Sequence, residues 1–124
     1  MSDRILIIED EPTMRILLMD YFESVGYQVL GAPDGRTALA IASSEPFGLA
    51  FVDINLPDIM GDEVMRRMRE RGVAAELVVL SGNLRESYED RIADLGVHEI
   101  LEKPVDLRVL GSLAKKLLGN GRAH

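Results

Sequence analysis

The chain has 124 residues, 47% of them hydrophobic, no cysteine, and a formal net charge of −7. That length suits one compact domain with a real core, and without cysteine there is neither a disulfide nor a thiolate metal site. The acidic balance argues against direct nucleic-acid binding, which needs clustered positive charge, and no apolar run approaches the roughly 20 residues of a membrane span.

The first apolar run, Ile5 to Ile8, stops at Glu9, Asp10 and Glu11. It reads as a buried strand and not as a secretion signal, so a cytoplasmic location is expected. Pro12 suits the first turn of a helix. Met14, Leu17, Leu18, Tyr21, Phe22 and Val25 follow at helical spacing up to a stop at Gly26. A weaker strand spans Gln28 to Leu30. Asp34–Gly35 opens a second helix with Ala38, Ile41 and Ala42 facing inward. Leu49 to Val52 is the next buried strand.

Gly61 or Asp62 starts a third helix with Val64, Met65 and Met68 inside, and Gly72 ends it. Its basic stretch, Arg66, Arg67, Arg69 and Arg71, reads as a solvated face, with Glu63 spaced to pair with Arg67. Leu77 to Leu80 is the fourth strand. A fourth helix is expected from about Arg85 to Leu95, on a narrow stripe of Leu84, Tyr88, Ile92 and Leu95. Val97 to Leu101 is the fifth strand, with His98 read as structural. Leu107, Leu110, Leu113, Ala114, Leu117 and Leu118 mark a fifth helix. The expectation is one domain over residues 1–124, with a core of about 4–118 and a frayed tail at 119–124. Five strand–helix units imply an α/β fold, a parallel sheet with helices on both faces.

Ligands in such sheets bind beyond the carboxyl ends of the strands. Strand one ends in Glu9–Asp10–Glu11, strand three in Asp53–Ile54–Asn55, strand four in Ser81–Gly82, and strand five in Lys103–Pro104. If these strands lie side by side, Glu9, Asp10 and Asp53 crowd three carboxylates together, and mutual repulsion raises their pKa values. A hard divalent cation relieves that crowding. Magnesium suits oxygen ligands, and the Asn55 carbonyl offers one more. An ionised Asp53 needs no base to act as a nucleophile on phosphorus. Phosphoryl transfer then asks mainly for positioning and charge neutralisation. Lys103 offers a point charge, while the Ser81 hydroxyl and Gly82 amide offer donors. Taken singly, each residue has a bland reading: Asp53 as a loop residue, Ser81 as a turn residue, Lys103 as an exposed base, Asp10 as a helix cap. Their placement at one sheet edge favours a shared site.

The pieces ILIIEDEP, Asp34–Gly35, FVDINLPDIMG, VVLSG and GVHEILEKPVD occur in this order. Together they resemble the response-regulator receiver family of two-component signalling, including its chemotaxis-type single-domain members, over Arg4 to about Leu118. The resemblance implies a flavodoxin-like doubly wound (βα)5 fold with sheet order 2-1-3-4-5. It also implies magnesium-dependent phosphorylation by a sensor histidine kinase or histidine phosphotransfer protein, with output to a downstream protein. By position, Asp53 matches the phosphoacceptor, and Glu9 and Asp10 match the acidic pair, Asp10 being the expected direct ligand. Asn55 matches the carbonyl donor, Ser81 the mobile hydroxyl, and Lys103 the lysine, which often precedes a cis bond. Such a domain is a signalling domain and not an enzyme, although it assists its own phosphorylation and dephosphorylation.

Two positions depart from the family pattern. Ile100 stands where an aromatic switch residue is usual, and it is stiff at χ1. Signal then leaves through the loop and helix after Ser81, or Ile100 is plain core packing. Gly82 stands where alanine is common, which opens the site and frees the following loop. A phosphatase of the haloacid-dehalogenase type resembles the chemistry, but it needs an aspartate where Asn55 stands. A flavodoxin-type flavin site would be repelled by Glu9–Asp10–Glu11. A degenerate receiver acting as a phosphorylation-independent binding module is the runner-up. Oligomeric state is not legible.

Overall fold

The computed structural model describes residues 3–82 and 89–119. Within them, strands and helices alternate: β1 (Ile5–Ile8), α1 (Pro12–Ser24), β2 (Val29–Ala32), α2 (Gly35–Ser44), β3 (Leu49–Asp53), α3 (Gly61–Glu70), β4 (Glu76–Ser81), α4 (Glu89–Ile92), β5 (Val97–Glu102) and α5 (Leu107–Leu118). The strands pair in parallel in the order β2-β1-β3-β4-β5. This is the doubly wound, flavodoxin-like sheet that the motif order implied. Among the described residues, no helix is long and apolar enough to cross a membrane.

Because successive side chains along a strand point to opposite faces, each buried run feeds two cores. Leu6, Ile8, Ala50, Val52, Leu77 and Val79 pack with α2, α3 and α4. Ile5, Ile7, Leu49, Phe51, Val78 and Leu80 pack with α1 and α5. Phe22 of α1 stacks on Phe51, with ring centroids 5.2 Å apart. Each large side chain fully removed from water contributes roughly 1.5–3 kcal/mol. The burial on both faces explains why these strands read as continuous apolar runs.

Several expectations need correction. The second strand is Val29–Ala32, not Gln28 to Leu30. Gly31 belongs to the ladder opposite Ile7, and the space a side chain would need there is filled by the Met19 thioether. On α1, Leu17 is 49% exposed and Val25 38%. Leu17 sits about 100° around the helix from buried Leu18, and Val25 lies beyond the last helical turn. The helix cap is Glu11, not Asp10: its carboxylate accepts the amides of Thr13 (3.3 Å) and Met14 (2.9 Å). Gly26 (φ 102°) and Gly72 (φ 83°) stand where the chain turns after α1 and α3 in the left-handed region. Of the expected fourth helix, Ile92 and Leu95 are buried. Leu84, Arg85 and Tyr88 lie outside the described residues, as does the tail beyond Gly119.

The arginines of α3 divide. Arg67 pairs with Glu63 at 2.9 Å, as expected of a solvated face. Arg69 does not fit that picture. Its guanidinium donates to the carbonyls of Leu95 (2.7 Å), Val73 (2.8 Å) and Ala75 (2.8 Å). It thereby ties the segments that lead into β4 and β5. His98 is exposed and falls at the irregularity in the β4–β5 ladder, where Val78 pairs with Glu99.

Candidate functional site

The ladder register explains why the predicted residues meet. Ile8 is level with Val52, Asp53 with Leu80, and Ser81 with Glu102. The residues that follow these pairs leave the sheet at one edge. Glu9 and Asp53 are almost fully buried there, and Ser81 is fully buried. The Lys103 ammonium reaches across to both acids, 2.7 Å from Glu9 Oε1 and 3.1 Å from Asp53 Oδ2. The Lys103 amide donates to the Ser81 carbonyl at 2.8 Å, which fixes the end of β5 against β4. The Lys103–Pro104 bond is cis.

The remaining carboxylate oxygens are held by backbone. The Asn55 amide donates to Asp53 Oδ1 at 3.0 Å, and the Glu11 amide to Glu9 Oε2 at 3.1 Å. Carboxylate oxygens of Glu9, Asp10 and Asp53 lie within 4.8 Å of one another. Asp10 is exposed, and no described cation pairs with its side chain; the nearby Arg15 guanidinium is spent on the main-chain carbonyls of Glu9 and Asp10. One ammonium thus faces three acids.

The electrostatics follow from that imbalance. Burial lifts the Glu9 carboxyl above its usual range; the Lys103 and Glu11 hydrogen bonds oppose the shift, and the Asp53 charge adds to it. Burial works against the charge on Lys103, but the Glu9 hydrogen bond and the Asp53 charge outweigh it and raise its pKa. A cluster that carries surplus negative charge and offers only hard oxygen ligands fits a hard divalent cation.

The two unusual positions are also placed. Gly82 is exposed, and among the described residues nothing lies within 4 Å of the place a side-chain carbon would take. Ile100 pairs with Val79 and packs, partly buried, against the core that includes Ile92 and Leu95.

Two supports were not legible as part of the site. Asp58 accepts the amides of Gly35 (2.8 Å), Arg36 (3.0 Å) and Ile59 (2.7 Å), so it ties the β3–α3 loop to the start of α2. Asp34 caps the same helix through Thr37. The sequence signal for one acceptor before Gly35 is clear, whereas a second from 23 residues away has none. Desolvation is the largest single influence on Asp58 and opposes ionisation, but the backbone amides together outweigh it and lower its pKa. A depressed carboxyl contributes stability above the ordinary aspartate pKa of about 3.9 and loses it as pH falls through the lower folded value. Asp58→Ala is therefore expected to lower the melting temperature at neutral pH. The difference should shrink in acid, as followed by circular dichroism.

Gly61 is the second support. A side-chain carbon there would stand 2.5 Å from the Asp53 carbonyl oxygen and 2.9 Å from Ile54 Cα. Its amide also donates to the Ile54 carbonyl at 2.9 Å. Only glycine lets α3 begin flush against the end of β3. Gly61→Ala pushes backbone from backbone, so a loss of about 1–3 kcal/mol is expected in urea unfolding.

Comparison with known proteins supplies the context. The family model for the response regulator receiver domain matches residues 5–115. The sensor histidine kinase RcsC of Salmonella typhimurium is 34% identical over 106 residues, which cover 86% of this chain and 11% of the kinase. The TorCAD operon transcriptional regulatory protein TorR of Escherichia coli O157:H7 is 35% identical over 120 residues, covering 95% of this chain and 51% of the regulator. The chain thus spans about a tenth of the one and about half of the other. Among solved structures, the response regulator protein TrrA of Thermotoga maritima, in complex with Mg(2+)-BeF, has a TM-score of 0.82 at 30% identity over 95% of this chain and 100% of that one. A receiver domain protein from Methanospirillum hungatei JF-1 gives 0.86 at 27% identity over 94% of each chain. With its sheet order, its strand-end acids and these relatives in agreement, the chain belongs to the response regulator receiver domain family of two-component signalling.

Proposed function

We propose that this receiver takes a phosphoryl group onto Asp53 from a sensor histidine kinase or histidine phosphotransfer protein, with magnesium, and signals by contact with a downstream protein. The observation that carries the reading is the single Lys103 ammonium shared by buried Glu9 and Asp53, with the Asp10 carboxylate uncompensated beside them.

An Asp53 carboxylate oxygen attacks phosphorus, and the bond from phosphorus to the donor's imidazole nitrogen breaks. The products are an acyl phosphate on Asp53 and the donor's neutral imidazole. The Asn55 amide holds Oδ1 and so orients the carboxylate. Lys103, already anchored by Glu9, stands ready to neutralise a phosphoryl oxygen. The Ser81 hydroxyl and Gly82 amide are the candidate donors for the others. Glu9, Asp10 and Asp53 would hold magnesium, with the Asn55 carbonyl as a further ligand. When bound, the ion supplies the remaining charge neutralisation. Water attack on the acyl phosphate later returns Asp53 and inorganic phosphate. The Mg(2+)-BeF complex of the Thermotoga relative adds support.

Incubation with acetyl phosphate and magnesium, followed by intact mass measurement, tests this. One acid-labile phosphate per chain is expected. Continuous release of phosphate from small phosphomonoesters would instead indicate a phosphatase. No mass gain would indicate a binding module that works without phosphorylation.

A further inference from the structure

The contact between α3 and α4 joins the phosphoacceptor strand to the described part of α4. Gly61 is packed flush on the Asp53 carbonyl and bonded to Ile54, so the first turn of α3 follows the end of β3. The next residue, Asp62, reaches out of that turn and accepts Arg91 Nε of α4 through Oδ2 at 2.7 Å. Its other oxygen, Oδ1, is buried and has no hydrogen-bond partner among the described residues. An aspartate facing an arginine can take two parallel bonds from the planar fork. Here it takes one, and an unsatisfied buried acceptor is unfavourable. The pair therefore has a better arrangement within reach of a small movement.

One turn further along α3, Arg66 holds α4 from the same side. It donates to the Arg91 carbonyl and pairs with Asp94 at 3.3 Å. Apolar contact adds Ile92 and Leu95. Ile100 on β5 brings no aromatic ring that would carry a signal along the sheet edge. Arg66 contacts α4 but lies a turn away from the end of β3; Asp62 contacts α4 and directly follows Gly61, which is bonded to Ile54.

We infer that Asp62 is a positioning residue that relays the state of the Asp53 strand end to α4 through Arg91. The relay rests on the phosphoacceptor reading of Asp53. Phosphorylation shifts the β3–α3 junction, Gly61 passes the shift to Asp62, and the one-bond pair with Arg91 rearranges.

The test compares hydrogen–deuterium exchange over residues 89–95 with and without beryllofluoride plus magnesium, in the unmodified chain, Asp62→Asn and Arg66→Gln. Uptake of one phosphate per chain from phosphoramidate, read by mass, is measured in parallel. The unmodified chain and Arg66→Gln should each change exchange by about threefold or more between states, and Asp62→Asn by less than about 1.5-fold. Arg66→Gln should loosen α4 equally in both states, which separates a holding residue from a relay. Should Asp62→Asn fail to fold or to take phosphate, Arg91→Gln cuts the same contact from the other side. An unaltered exchange ratio in the Asp62 or Arg91 variant overturns the relay, as does a ratio near one in an unmodified chain that takes phosphate. An unmodified chain that takes none overturns the phosphoacceptor reading, and the relay with it.

Discussion

Asp53→Asn is expected to take no phosphate from acetyl phosphate and, in buffer free of divalent ions, to unfold at a higher urea concentration than the parent chain. The loss is chemical: an amide oxygen is a far weaker nucleophile than a carboxylate. The gain in stability is electrostatic. Asp53 is buried and meets one ammonium at 3.1 Å, but it also faces the Glu9 and Asp10 carboxylates within 4.8 Å. Replacing it removes one attraction, two repulsions and the cost of burying a charge. At an effective dielectric constant of about 20, the balance is on the order of 1 kcal/mol in favour of the variant. An asparagine oxygen still accepts the Asn55 amide. Magnesium should then raise the melting temperature of the parent chain more than that of the variant, because the ion binds the folded acid cluster. A phosphate retained by the variant would move the acceptor elsewhere. A variant less stable than the parent would show that the Lys103 contact outweighs the crowding.

Lys103→Met should cost more stability than any other change at the site. Methionine keeps the length of the side chain and removes its charge, which leaves Glu9 and Asp53 buried without their ammonium. Breaking a buried pair in this way costs about 3 kcal/mol or more; Lys103 retains 26% side-chain exposure, which favours the lower end. Its burial opposes the charge, but Glu9 and Asp53 hold the folded pKa above the ordinary value. Such a group stabilises the fold fully below the ordinary lysine pKa of about 10.4 and loses that contribution as pH rises through the higher folded value. The stability gap to the parent chain should therefore narrow only in strong alkali. Phosphoryl uptake should slow by about 100-fold, the scale of removing one group that neutralises transition-state charge. Urea unfolding and the time course of mass gain measure the two effects. An uptake rate within a few-fold of the parent's would remove Lys103 from the chemistry.

How much of this was legible follows from how far each interaction reaches along the chain. The three buried strand runs, β1, β3 and β4, and the stop at Gly72 are local patterns, and they stand where periodicity places them. The convergence of Glu9, Asp53 and Lys103 spans 94 residues between its outer members. It was still predictable, because a parallel sheet sends every strand end to one edge. β2 was placed one residue early: Gly31 and Ala32 belong to it, and the space a side chain would need at Gly31 is filled by Met19, a contact no local pattern announces. Leu17 was misread by a fraction of a helical turn. Asp58 went unread and Arg69 was taken for a solvated face, since polar side chains that cross between loops leave no spacing signature. The pairing of Asp62 with Arg91 is of the same kind.

Arg69 carries one more consequence. Its guanidinium ties the approaches to β4 and β5 at the end of the sheet remote from Ser81 and Lys103. Sliding β4 lengthwise would strain two of those bonds and sliding β5 the third, so motion at the far tips is favoured as a bend about a pinned root. A lysine there keeps the charge but lacks the planar fork. An exchange that looks conservative on paper would unpin the root and blur any movement the tips transmit.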